Sequence, residues 1–365
     1  MKIALLGDVA LFGKFDLENN SNAFIYMKDV SEFLKNYDYV IGNLETPFTE
    51  LKKSFVSKSA HLKSSKKNIE LLRHLNISIV NLSNNHIFDY GIKGFESTID
   101  LLGQNKINYF GVDGVDHIIE NSNICLSGFC CYSTNGVFYL EKGKKHGVNI
   151  LNGYDVESKL KKDKEKGYLS ILSVHCGDEH IHYPRYDHIR LARIFSEFSD
   201  YVFYGHHPHV MQGIEKHNNS LLAYSLGNFC FDDIYTKESK SPKIKLTKEN
   251  KETFILELTI DDNKLISYKA IPIYDNGQKL VVDPENSEIL NKIQQYSEYI
   301  NIDEKDYVTV RSEKRKSYIE MRKSMRDLKF YLKRINLNSI GLILSSKRNS
   351  NNYKNNILDY LKEHE

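Results

Sequence analysis

Short apolar runs alternate with amphipathic stretches through the first two thirds of the chain. The runs at 2–6, 39–41, 77–82, 124–129, 169–174 and 201–204 are brief and β-rich, which predicts buried strands. Between them, apolar positions recur at helical spacing. Ile69, Leu72 and Leu75 do so within 66–75, Phe95, Ile99 and Leu102 within 92–102, and Ile189, Leu191, Ile194 and Phe198 within 187–198. Alternation of this kind predicts a layered α/β fold. After Asn228 the texture changes. Residues 253–260 alternate apolar and polar, 265–274 do so loosely, and 279–282 form one more short run, predicting antiparallel strands that close the domain. The charged, Lys-rich stretch 232–251 reads as a loop.

From about Asn301 the chain reads as helical and basic, with 15 Lys and Arg against 9 Asp and Glu up to Glu365. Tyr318, Met321, Met325, Leu328, Leu332 and Ile335 are spaced by three and four, the seam of an amphipathic helix. One reading packs this helix on the main domain, or on a second copy in a homo-oligomer, with a solvated basic outer face. The other makes the basic face a dock for an anionic partner, a membrane surface or a polyanionic polymer. Residues 345–356 are polar enough to read as a flexible linker.

Composition narrows the class. Hydrophobic residues at 41% and charged residues at 27% belong to a soluble globular chain, and a net charge of +2 singles out no partner. No apolar run is long enough to span a bilayer, and the apolar start runs directly into Asp8, unlike a signal peptide. Neither a transmembrane segment nor a nucleic-acid partner is expected, and the expected location is the cytoplasm. Five cysteines, odd in number and without zinc-ribbon spacing, predict reduced thiols.

Polar clusters punctuate the ends of the apolar runs, where an α/β sheet gathers its ligands. Gly7-Asp8 ends the first run, and a carboxylate there can bind a metal, although Gly-Asp also opens many turns. Glu45 closes Gly42-Asn43-Leu44-Glu45 and could bridge two cations, or serve as a helix-terminal or surface acid. Asn84-Asn85-His86 offers an amide oxygen, a hard neutral ligand, beside an imidazole suited to stabilising a leaving oxygen. Asp89 could orient that imidazole or cap the following helix. His175 ends a very apolar run, with Glu179 four residues later; a lone histidine there is also consistent with a satisfied core residue. His206-His207-Pro208-His209 is the strongest local signal, since His-x-His can present two imidazoles to neighbouring cations while proline stiffens the turn. Ser225-Leu226-Gly227-Asn228-Phe229 adds a tight turn beside an amide. Asp, Glu, Asn and His together suit hard-to-borderline divalent metals.

In order, GDVA, GNLE, NNHIFDYG, VHCGDE, GHHPHV and SLGNF resemble the bacterial capsule-synthesis CapA family, also called the poly-γ-glutamate synthesis family. That family is related to the calcineurin-like metallophosphoesterases. The resemblance covers about residues 1–275 and implies a four-layer α/β/β/α metallophosphoesterase-like sandwich. Residues 1–284 would form that domain and 285–365 a basic helical C-terminal extension. Carried onto matching positions, Asp8 and His209 would hold one metal and Glu45 would bridge. Asn85, His175 and His207 would hold the second, leaving His206 at the rim. His86, Asp89 and Glu179 are the catalytic candidates. The metals implied are divalent, with Mn, Zn or Fe expected. Two positions depart from the pattern. Where ordinary metallophosphoesterases carry Asp-x-His, Asp8 is followed by Val9-Ala10, so one imidazole is missing. Cys176 stands where an aromatic residue commonly follows the histidine, which would remove an aromatic wall.

The resemblance implies metal-assisted hydrolysis of a phosphoester in capsule or cell-envelope polymer metabolism, on a small-molecule or polymer substrate. Two other readings stay open. One is metal-dependent amide or peptide chemistry, or epimerisation, on a carboxylate-bearing substrate. The other is a non-enzymatic accessory role in polymer synthesis.

Overall fold

Strands whose two faces are both apolar must be covered on both sides, and this requirement organises the chain into layers. The computed structural model describes residues 1–55, 60–134, 145–235, 242–324 and 337–365. Its strands are β1 (Lys2–Val9), β2 (Tyr39–Leu44), β3 (Ile77–Asn81), β4 (Asn108–Phe110), β5 (His117–Ile118), β6 (Ile124–Cys130) and β7 (Leu169–His175). They continue with β8 (Tyr201–His206), β9 (Ile214–His217), β10 (Ser220–Ala223), β11 (Asn228–Cys230), β12 (Glu252–Asp261), β13 (Lys264–Asp275) and β14 (Leu280–Val282). The helices are α1 (Ala23–Tyr26), α2 (Lys28–Leu34), α3 (Ile69–His74), α4 (Gly91–Gln104), α5 (Gly153–Glu165), α6 (Tyr186–Phe198), α7 (Ser287–Ile300), α8 (Glu304–Ser324) and α9 (Leu337–Glu363).

One sheet runs β14-β13-β12-β1-β2-β3-β4, with β11 also on β1; the other runs β5-β6-β7-β8-β10-β9. Side chains alternate between the two faces of β1. Ile3 and Leu5 join Ile41, Ile171, Val202 and Phe254 between the sheets, whereas Ala4 and Leu6 join Val30, Leu72 and Phe95 beneath α2, α3 and α4. On the second sheet Leu172, Val174 and Phe203 point the other way, against Leu160 of α5, Phe195 of α6 and Tyr360 of α9. The result is a four-layer α/β/β/α sandwich. β1 to β4 are mutually parallel, as are β6, β7 and β8, so the carboxyl ends within each group fall along one edge of its sheet.

The expected strands and helices of the first two thirds are present, and β12, β13 and β14 pair antiparallel as predicted. Helix α5 was not anticipated. Its sequence is dominated by Lys, Asp and Glu, and only Val156 and Leu160 supply large apolar side chains to the core. Asn152 starts it, its Oδ1 accepting from the Tyr154 amide at 3.0 Å. The expected linker 345–356 is instead helical, inside α9. The last turns of that helix anchor it: Ile357, Tyr360 and Leu361 are buried, and the Tyr360 ring lies where a side chain at Gly153 would be. Ile289 and Ile293 of α7 enter the inter-sheet core, so 285–365 shares the cores of the preceding residues. Of the expected amphipathic seam, Met325, Leu328, Leu332 and Ile335 lie outside the described residues, as does the side chain of Met321.

Near the site edge neighbouring strands come close enough to require glycine. A Cβ on Gly205, in β8, would lie 1.8 Å from the Tyr224 carbonyl oxygen, and one on Gly7 would lie 2.0 Å from that of Gly227. Both obstacles are backbone and cannot rotate away. Gly205→Ala should therefore cost about 1–3 kcal/mol or more. Gly103→Ala, on the exposed face of α4 with open space around it, should stabilise by about 0.5–1 kcal/mol. Urea unfolding of the two variants checks both signs.

Candidate metal centre

Register across the parallel strands sets the first half of the site. Asp8 pairs with Asn43 on β2, and Asn43 with Asn81 on β3. Their side chains repeat that order: Asn81 Nδ2 donates to Asn43 Oδ1 at 3.0 Å, and Asn43 Nδ2 donates to Asp8 Oδ1 at 2.8 Å. Asn228 of β11 flanks Asp8 on its other side. Glu45 follows β2 directly and is fully buried, as is Asp8. Glu45 is therefore not a surface acid.

The second sheet supplies the imidazoles. His175 and His206 end β7 and β8 opposite one another. His175 Nε2 lies 3.1 Å from Asn85 Oδ1 and 3.3 Å from Glu45 Oε1. Past β8 the chain turns through His207 at φ 93° and His209 at φ 57°, left-handed values that non-glycine residues rarely adopt. Each such residue costs about 1–3 kcal/mol and persists only where its surroundings hold it. Here the His180 amide donates to the Pro208 carbonyl at 2.7 Å, and Asn250 Nδ2 to that of His209 at 2.8 Å. The bend aims both rings inward. His209 Nδ1 lies 2.9 Å from Asn228 Oδ1 and 3.2 Å from Asp8 Oδ2, and the His207 ring is centred 4.8 Å from that of His175. His207 Nδ1 is buried and, among the described residues, makes no hydrogen bond.

Asp8, Glu45 and His209 each offer a ligand atom, all within 4.8 Å of one another. With bonds of roughly 2.2 Å, tetrahedral ligands on one ion lie about 3.6 Å apart, so closure onto an ion needs shifts of up to about 1 Å. Oxygen and imidazole donors without a thiolate suit Mn, Zn or Fe. The residues present therefore fit a divalent cation.

His86 and Asp89 form a separate pair beside this cluster. His86 Nδ1 lies 2.7 Å from Asp89 Oδ2, and the same oxygen accepts from the Leu62 amide at 2.8 Å. Asp89 therefore orients the imidazole and is not the cap of α4. Asn84 Oδ1 accepts the amides of His86 and Ile87, which fixes that loop. Glu179 is not among the converging ligand atoms. It lies with His207 along a cavity of about 290 Å³, where Tyr318 of α8 donates to its Oε2 at 3.3 Å.

One expectation is corrected. His206 is not at the rim: it is fully buried, its Nε2 3.1 Å from Ser173 Oγ and its Nδ1 3.3 Å from Asp8 Oδ1, so it braces Asp8. Cys176 packs into the helix-side core with Tyr132 and Ile189. Sequence reasoning missed Asn43, Asn81 and Asn250. Asn43 lay inside a quoted motif whose carboxylate drew attention, and Asn250 sits in the stretch read as a loop.

The electrostatics follow from burial against pairing. Burial alone would raise the Asp8 carboxyl, yet hydrogen bonds and charge from His206 and His209 hold it well below its usual range. Burial opposes charge on His209 too, but Glu45 and Asp8 push it up to about 10. Burial brings His207 down to about 4 against the opposing pull of Glu179. His175 falls well below its usual value through burial and the neighbouring charge of His207.

The structure thus defines a four-layer α/β/β/α protein with a carboxylate–imidazole cluster at the strand ends. A family model described as "Bacterial capsule synthesis protein PGA_cap" matches residues 2–233, and the chain belongs to that family. It is 27% identical over 278 residues to the PGA biosynthesis protein CapA of Bacillus subtilis (strain 168), covering 71% of this chain and 70% of that one. To the capsule biosynthesis protein CapA of Bacillus anthracis it is 28% identical over 276 residues, covering 71% of this chain and 66% of that one. Among solved structures, sulfate thiohydrolase SoxB of Thermus thermophilus, in complex with glycerol, aligns over 81% of this chain and 60% of its own, with 9% identity and a TM-score of 0.44. No helix among the described residues is long and apolar enough to cross a membrane.

The raised value of His209 has a measurable consequence. Stability from its proton is fully present below the ordinary value of 6.5 and is lost as pH rises through about 10. A divalent ion bound through this ring must displace the proton. Titrating metal-free protein with Mn²⁺ at about pH 8, in buffers of different ionisation enthalpy, should release about one proton per ion. His209→Gln should abolish that release; unchanged release would remove His209 from the ligand set.

Proposed function

We propose that the protein is a metal-dependent hydrolase acting on a phosphoester in capsule or cell-envelope polymer metabolism. The observation that carries this reading is the convergence of Asp8, Glu45 and His209, two buried carboxylates and an imidazole with ligand atoms within 4.8 Å. Membership in a capsule-synthesis family supports the metabolic setting. In this reading Asp8 and His209 would hold one ion, Asn85, His175 and His207 would hold a second, and Glu45 would be shared. Divalent ions there supply Lewis acidity and lower the pKa of water.

The remaining chemistry belongs to the side chains. His86 Nδ1 lies 2.7 Å from Asp89 Oδ2, and in the imidazolium form its Nε2–H would donate to a leaving oxygen or steady developing negative charge. Asp89 is fully buried and held by the Leu62 amide, so it keeps the ring in one orientation. In this reading Glu179, which lines the same cavity as His207, would accept a proton or orient water.

Metal analysis of purified protein, then assays on p-nitrophenyl phosphate and bis-p-nitrophenyl phosphate with Mn²⁺, Zn²⁺ and Fe²⁺ restored in turn, tests the proposal. His209→Ala should lose bound metal and activity together. His86→Ala should keep its metal while kcat falls by about 10²–10⁴-fold. Absence of hydrolysis with every ion would end the hydrolase reading.

A further inference from the structure

Helix α8 lies beyond the residues matched by the family model, yet it walls the approach to the metal centre. The cavity that reaches His207 and Glu179 is bounded on that side by Arg315, Tyr318 and Lys323. It continues into a groove of about 770 Å³ that shares Arg315 and Lys323 and extends past Lys316 to Lys354 of α9. The helix is held in place at several points. Tyr307, buried, donates to the Pro184 carbonyl at 2.7 Å, Arg311 binds that carbonyl and pairs with Asp178 at 2.5 Å, and Tyr318 reaches Glu179.

Charge along the groove is unbalanced. Six Lys and Arg side chains line it against three carboxylates. Arg185 is taken up by Asp187 and Arg311 by Asp178, and Arg315 stands 3.3 Å from the same Asp178 oxygen. Lys316, Lys323 and Lys354 make no ion pair among the described residues. On a convex surface such an excess is a solvated face. In a concave groove opening onto His207 and Glu179, it concentrates positive potential where an extended substrate would run.

We propose that α8 is a specificity wall, on which Arg315 and Lys323 receive a second anionic group of the substrate. This rests on the hydrolase reading above. The preferred substrate is then an extended molecule with at least two anionic groups, one reacting at the centre and the next held in the groove.

Calorimetric titration of the full, metal-stripped chain with inorganic tripolyphosphate and with a tetra-aspartate peptide tests the wall apart from catalysis. Wild type should bind at least one probe, and which one it binds tells phosphate from carboxylate recognition. Arg315→Gln/Lys323→Gln should weaken that binding by about 10-fold or more. Lys323→Gln alone, which breaks no ion pair among the described residues, should weaken it in part, and Lys305→Gln, outside the groove, should leave it unchanged. Equal binding by wild type and the double variant, or no binding of either probe by wild type, overturns the proposal. So does capture by phosphatidylserine vesicles through these two residues without binding of either probe, which would assign the face to a membrane. Because no metal is needed, a failed hydrolase assay leaves this outcome independently readable.

Discussion

Two carboxylates without solvent contact, Asp8 and Glu45, constrain the rest of the site edge. Burying an unpaired charge costs several kcal/mol even after relaxation. The surroundings of Asp8 are arranged to offset that cost. Asn43 donates to one oxygen at 2.8 Å and the His207 amide approaches the other at 3.3 Å, while His206 and His209 stand within 3.3 Å and 3.2 Å. Asn43 comes from β2, and the other three groups come from the end of β8 and the turn beyond it. Satisfying one carboxylate therefore fixes the β1–β2 register, the end of β8 and the turn beyond it at once.

That turn shows how strain and function share a cause. Placing His207 and His209 in left-handed backbone is unfavourable, and this turn brings the His209 ring to Asp8 and the His207 ring beside His175. Asn250 helps to hold the geometry, and its orientation is determined. Its Oδ1 accepts from the amide and hydroxyl of Thr247, so its Nδ2 must face the His209 carbonyl and His180 Nδ1. One amide thereby couples the segment before β12 to the carboxylate–imidazole cluster.

The periodicity of residues 2–6 or 169–174 exposes a buried strand because each position contributes to the pattern independently. The ligand candidates at strand ends were legible for the same reason: a polar residue closing an apolar run needs an explanation of its own. Asn43 and Asn81 were not legible, because their role exists only once β1, β2 and β3 are placed in register. His206 and His207 are adjacent in sequence, and only the backbone reversal between them sends one to Asp8 and the other toward His175. Helix α5 escaped because its polar face outweighs its apolar one, and α9 because a polar stretch precedes the buried anchors Ile357, Tyr360 and Leu361.

The missing imidazole after Asp8 has a structural counterpart. Ala10 is fully buried in an apolar cluster with Leu62, Phe231 and Leu246, and the Phe231 ring is centred 4.9 Å from that of His209. The position that the family resemblance would give to a ligand is filled by packing. Three protein ligands, Asp8, Glu45 and His209, then remain for one ion in the proposed reading. A structural zinc site closes all four positions, whereas a catalytic one keeps a position open for water or substrate. Exchanging an imidazole for a packed Ala10 and Phe231 therefore moves the proposed position toward the open kind. In that reading His209, backed by an aromatic ring on one side and bound to Asn228 on the other, is the ligand on which occupancy would depend.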